Sequence, residues 1–242
     1  VSEYGSVWES RAQWWKETFA DGTDPEYAQQ IVPRVIECVR SADHVIDIGA
    51  GEGQLARAAT SAGAERVVAI DSSAAMVELA NGSGVDARVG DVTSLPFESE
   101  EFDLATIGLV LEHVGDFDAA VSEVARVLKP SGRVLLFLNH PMFQTPGSGW
   151  IDDQILEEQY WRVGPYLQEA TTTEEVESGV LIPFAHRPLS TYVNTFARSG
   201  LMVRQMDEPS PPTEFLASEA GMEGAEHIPR LLFLEFQKIP VQ

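Results

Sequence analysis

Cys38 is the only cysteine in the chain, so no intrachain disulfide is available and packing alone must hold the fold. Its amphipathic neighbours mark a packed helix position and not a nucleophile. Lysine is nearly as scarce, with only Lys16, Lys129 and Lys238, and Lys+Arg 16 against Asp+Glu 38 leaves a formal net charge of -22. Such a balance repels phosphate backbones and anionic lipid surfaces, which argues against nucleic acid and membranes as partners. No apolar run approaches the roughly 18 residues of a membrane span, and no basic-then-apolar leader opens the sequence; a cytoplasmic protein is expected. Neither a Gly-x-Ser-x-Gly elbow nor a P-loop is present, so the chemistries those motifs signal have no support. The adjacent acids Asp152-Asp153 read as a helix start serving the macrodipole, and no further ligand stands at metal-site spacing, so no metal is expected.

What is present begins with Val45-Ile46-Asp47-Ile48-Gly49-Ala50-Gly51-Glu52-Gly53. An apolar, β-branched run breaks into alternate glycines at the mouth of a helix, the arrangement that lets backbone approach a ligand and aims helix N–H groups at it. The spacing departs from the dinucleotide pattern G-x-G-x-x-G, and Asp47 and Glu52 beside the turn would repel a pyrophosphate while attracting a cationic ligand. Downstream, strand and helix signals alternate: strand 44–48, helix 52–62, strand 66–70, helix 73–80, strands 85–89 and 102–107, helix 116–128 and strand 132–138. Later come a helix over 188–199, a strand over 202–206 and another over 230–237. This is the pattern of a doubly wound α/β sheet, with ligands expected at the carboxyl ends of its strands.

On these residues the chain resembles the class I S-adenosylmethionine-dependent methyltransferases of the small-molecule, type 11-like kind, whose first motif is acidic-x-G-x-G-x-G. The second strand closing in Asp71, the segment Gly90-Asp91-Val92, the fourth strand around Ile107 and the stretch Val127 to Phe137 fall where that family has its later motifs. The resemblance implies a Rossmann-like, seven-stranded, mostly parallel sheet with an antiparallel last strand lying between the fifth and sixth. It implies S-adenosyl-L-methionine as cofactor, held by Asp47, Gly49, Ala50, Gly51, Gly53, Ser72, Met76 and Ile107, with Asp71 at the ribose and Asp91 and Val92 at the adenine. Residues 1–242 are expected to form one domain: a helical arm over 1–40, a cofactor core over 41–138, and lid insertions over 139–187 and 208–229 on the acceptor side.

The acceptor half is less specific. His140-Pro141 through Trp150 is rich in turn formers, Asp152 to Trp161 has helical spacing with Ile155, Gln159 and Tyr160 near one face, and Val180 to Phe184 reads as a strand of an added hairpin. Tyr4, Trp8, Trp14, Trp15 and Phe19 make the arm aromatic, suited to core packing or to covering a sulfonium. His140, after the fifth strand, and His186, before the late helix, are the candidate proton acceptors; His113 lies in the family's cleft-lining segment after the fourth strand. The expected function is methyl transfer to a small apolar or aromatic molecule. A non-catalytic S-adenosylmethionine-binding module and, less favoured, a NAD-dependent oxidoreductase or epimerase are the alternatives. Nothing in the sequence bears on oligomeric state.

Overall fold

A computed structural model describes residues 8–10, 12, 15, 24–40, 43–177, 180–218 and 224–239. Its centre is a seven-stranded sheet built from β1 (His44–Ile48), β2 (Arg66–Asp71), β3 (Ala87–Val89), β4 (Phe102–Gly108), β5 (Leu128–Asn139), β10 (Leu201–Asp207) and β11 (Leu231–Lys238). The order across it is β10-β11-β5-β4-β1-β2-β3, with β11 antiparallel to both neighbours and every other pairing parallel. The strand order reverses between β1 and β4, and the turn after β1 opens there.

Helices cover both faces. Along β1, Ile46 and Ile48 pack in the layer that holds α4 (Phe117–Val127) and α5 (Leu189–Arg198), whereas Val45 joins the layer of α1 (Val32–Cys38) and α2 (Gln54–Ser61). Alternation along a strand buried on both sides explains why the run reads as continuously apolar. On the first face Phe196 stacks on Phe236 at 4.2 Å between centroids. The remaining sheet helix, α3 (Ala74–Gly82), starts at Ser73, whose hydroxyl accepts from Met76 N at 3.1 Å. Ahead of α1, Tyr27–Ile31 forms a π-helical turn, and Cys38 closes α1 half-buried, as its neighbours imply.

Two expectations require correction. β5 starts at Leu128, not at residue 132, because Leu128 already pairs with Phe102; Lys129 to Gly132 is an irregularity in the ladder, turned by Ser131 at φ 65°. Asp152 to Trp161 is not a helix but most of a hairpin, β6 (Gly149–Asp153) and β7 (Glu158–Arg162), so residues 149 and 150 also leave the loop. Trp150 faces Trp161 across that ladder, and Asp153 Oδ1 accepts from Ile155 N and Leu156 N, turning the chain where a helix would have run on. Asp152 and Asp153 therefore shape a turn; they do not start a helix. The second hairpin, β8 (Ala170–Glu177) with β9 (Val180–His186), matches expectation around Val180 to Phe184. The loop from Glu208 contains α6 (Thr213–Ser218), and its Phe215 shares a small crevice with Phe143 and Trp161. Among the described residues no helix is long and apolar enough to cross a membrane, and no cluster of His, Cys, Asp and Glu is arranged to hold a metal.

Candidate functional site

The turn after β1 is built by three glycines in the left-handed region, Gly49 at φ 69°, Gly51 at φ 55° and Gly53 at φ 88°. Gly49 N and Ala50 N donate to the Ile70 carbonyl at 2.8 and 3.0 Å, tying the turn to the end of β2. Gly51 N donates to Asp71 Oδ2 at 2.8 Å and Ser73 N to Asp71 Oδ1 at 2.9 Å, so the acid bridges the glycine turn and the start of α3. A side chain at Gly49 would meet Val110, its Cβ only 2.6 Å from Val110 Cγ1.

Asp47 lies beneath the turn and is 1% exposed. Thr106 Oγ1 donates to Oδ1 at 2.7 Å and Ala56 N to Oδ2 at 3.0 Å. Burial outweighs both bonds and pushes the carboxyl up to about 7, so a cation brought alongside would restore its charge. Burial also raises Asp71 against the backbone donors that favour its anion. Asp91 Oδ1 accepts from Thr93 N at 2.9 Å and Thr93 Oγ1 at 2.7 Å, an Asx-type turn after β3. Glu52 is paired with Arg57 at 2.6 Å.

These groups surround one cavity of about 360 Å³ at the carboxyl ends of β1, β2, β3 and β4. Asp47, Gly49, Ala50 and Gly51 line it together with Asp71, Ser72, Met76, Asp91 and Val92. Gly53 and Ile107 do not. Gly53 caps α2, with any Cβ directed at Val85, and Ile107 is wholly buried in the β4 core. The rest of the lining is largely apolar, with Trp8, Trp15, Leu109, Val110 and Val114 among it. Trp8 and Trp15 meet edge to face at 5.5 Å, while Tyr4, Trp14 and Phe19 of the aromatic arm lie outside the described residues. The arm is pinned by Glu9, whose Oε2 accepts from Ser73 Oγ at 2.8 Å and Ala75 N at 3.2 Å. Among the described residues lining the cavity there is no Lys or Arg; Asp47, Glu52, Asp71, Asp91 and Asp116 are all acids.

Of the histidines, neither His140 nor His186 reaches this cavity. His140 is buried with Nε2 2.7 Å from Glu208 Oε1, and His186 holds the Tyr166 carbonyl at 2.8 Å beside a separate polar groove with Glu169, Asn194 and Arg198. His113 does line it. Tyr27, which donates its hydroxyl to the Gly108 carbonyl at 3.3 Å, also lines it and has no motif in the sequence to betray it. Aromatic content ahead of the first strand was the available signal, but it pointed to Trp8 and Trp15.

Residues 46–136 match the family model of the methyltransferase domain. An uncharacterised methyltransferase of Bacillus subtilis is 36% identical over 128 residues, covering 50% of this chain and 48% of that protein. A demethylmenaquinone methyltransferase of Mycolicibacterium gilvum is 38% identical over 108 residues, covering 45% of each. The chain thus spans about half the length of these curated relatives. Among solved structures, an S-adenosylmethionine-dependent methyltransferase of Mesorhizobium loti superposes with a TM-score of 0.73 at 24% identity, over 85% of this chain and 96% of that one. Residues 46–136 are thus similar to the methyltransferase domain family, and the chain shares the fold of these solved methyltransferases.

Proposed function

We propose that the chain transfers a methyl group from S-adenosyl-L-methionine to a small, neutral, apolar or aromatic molecule in the cytoplasm, with neither nucleic acid nor membrane as partner. The observation that carries this reading is the cavity's charge: a glycine turn among carboxylates with no basic side chain in the described lining suits a cationic adenosyl donor and opposes a pyrophosphate. The cradle fits the donor, since a Cβ at Gly49 would displace Val110 and the left-handed glycine turn leaves room for a ligand to approach the backbone.

In this reading Gly49, Ala50 and Gly51 hold the amino-acid end, with Asp47 countering its positive charge from below. Asp71 and Ser72 take the ribose, and Asp91, Val92 and Met76 the adenine. When bound, the cofactor supplies an electrophilic methyl group on a sulfonium. Trp8 and Trp15 add apolar lining that excludes water, and alignment in a dry cleft is the main service such a displacement needs. The kinship with demethylmenaquinone methyltransferases supports a neutral ring as acceptor. Isothermal calorimetry with S-adenosylmethionine, S-adenosylhomocysteine and NADH tests it. Binding of the first two without the third is expected; folded protein that binds neither refutes the reading.

A further inference from the structure

One side chain in the cavity has chemistry that cofactor binding leaves unused. His113 closes the short turn Leu111–His113 after β4, and its Nδ1 lies 2.8 Å from the Pro183 carbonyl oxygen on β9. A carbonyl can only accept, so in the neutral ring Nδ1 carries the hydrogen and Nε2 keeps its lone pair. The ring is set edge to face against Trp8 at 5.2 Å and Phe184 at 5.9 Å. Its turn is held from behind: Arg187 donates to the Leu111 and Val114 carbonyls at 2.9 and 2.6 Å, and Glu112 Oε1 accepts from Asn139 N at 2.8 Å. Burial lowers the imidazole's pKa and so favours the neutral ring. An acceptor lone pair held beside a space with acids and no Lys or Arg among its described lining residues is what a neutral weak acid needs and what an anion would avoid.

We propose that His113 is the catalytic base of the transfer, removing through Nε2 the proton of a neutral aromatic hydroxyl. As the O–H bond breaks toward Nε2, the hydroxyl oxygen forms the new O–CH3 bond, and the S–CH3 bond breaks with its electron pair remaining on sulfur. The products are a methyl ether, S-adenosylhomocysteine and an imidazolium, which returns its proton to water when the cleft opens. This rests on the methyltransferase reading and adds to it a base and an acceptor class.

The test uses the full chain and two readouts. Diethyl pyrocarbonate acylates unprotonated imidazole nitrogen, and peptide mass spectrometry locates the adduct. Modification of His113 is expected, slowed about tenfold by S-adenosylhomocysteine at ten times its dissociation constant, while exposed His227 reacts equally with and without it. In the second, methylation of phenol itself, whose own pKa lies far above neutrality, is followed against pH with the chain saturated with S-adenosylmethionine. A rate that falls on the acid side as the imidazole takes up a proton, and loss of that limb with most of the rate in His113→Gln, is expected. An inert or unprotected His113, an unchanged rate and acid limb in His113→Gln, or no transfer by either protein overturns the assignment. Calorimetry run in parallel separates the two levels: S-adenosylhomocysteine that binds without protecting His113 removes the base alone, and absence of binding removes the methyltransferase reading.

Discussion

Alanine at Gly49 should destabilise the chain through two separable effects, and a second substitution should recover only one of them. The residue sits at φ 69°, where a Cβ costs about 1–2 kcal/mol. That Cβ also falls 2.6 Å from Val110 Cγ1 and nearer still to Cγ2, an overpacking worth about 1–3 kcal/mol. Gly49→Ala is therefore expected to lose about 2–5 kcal/mol in urea unfolding, and to weaken S-adenosylhomocysteine binding because the turn must shift. Val110→Ala alone removes two half-buried methyl groups, at about 1–2 kcal/mol. In the double variant both clashing methyls are gone, but Val110 Cβ still lies 3.1 Å away and the φ strain persists, so rescue is partial. A double-mutant cycle over the four proteins should give a favourable coupling of about 1–3 kcal/mol. Coupling within about 0.5 kcal/mol of zero would refute the argument, for it would mean that the turn yields without pressing on Val110.

Asp47, pushed up to about 7 by burial, gives the protein two pH dependences of opposite sense. Between the ordinary carboxylate pKa and about 7 the folded ligand-free chain holds a proton that the unfolded chain releases. Its stabilising contribution is thus full at low pH and lost as pH rises through that window. Affinity for S-adenosylmethionine should instead rise about tenfold from pH 6 to pH 8, as the ionised fraction of Asp47 grows. Calorimetry on Asp47→Asn should find most of that slope gone. Asp71→Asn replaces an acceptor that Gly51 N uses and would weaken the proposed ribose contact; S-adenosylhomocysteine affinity should fall about tenfold or more, and unchanged affinity would remove Asp71 from the site. Phe196→Ala breaks the stack on Phe236 and leaves a cavity costing about 3–5 kcal/mol, read as a thermal midpoint lower by about 6–20 °C.

The core strands are legible because burial on both faces leaves continuous apolar runs with glycine or acid at their ends, as at Ile48-Gly49 and Ile70-Asp71. The cofactor side follows from them, since strand ends bring Asp47, Asp71 and Asp91 to one rim. Two of the expected cofactor residues stand off the cavity: Ile107 shares its strand with the site but is buried in the core, and Gly53 serves the helix cap. Helical spacing over Ile155 to Tyr160 misleads because the Trp150–Trp161 pairing that decides for a hairpin is non-local. Chain position puts His140 and His186 near the cleft yet says nothing of ring direction. Glu208 and the Tyr166 carbonyl, both distant in sequence, turn those rings to other uses.

The place of β11 has a consequence for how the chain is made. Leu231–Lys238 slips between β5 and β10, two strands synthesised before it. Until it emerges from the ribosome, the unfinished sheet has a gap at that point: β10 has no sheet partner, and the long apolar edge of β5 is open to strands of other molecules. The sheet can close only once residue 238 has left the ribosome, so a nascent chain arrested after α6 should be markedly more aggregation-prone than one that includes β11.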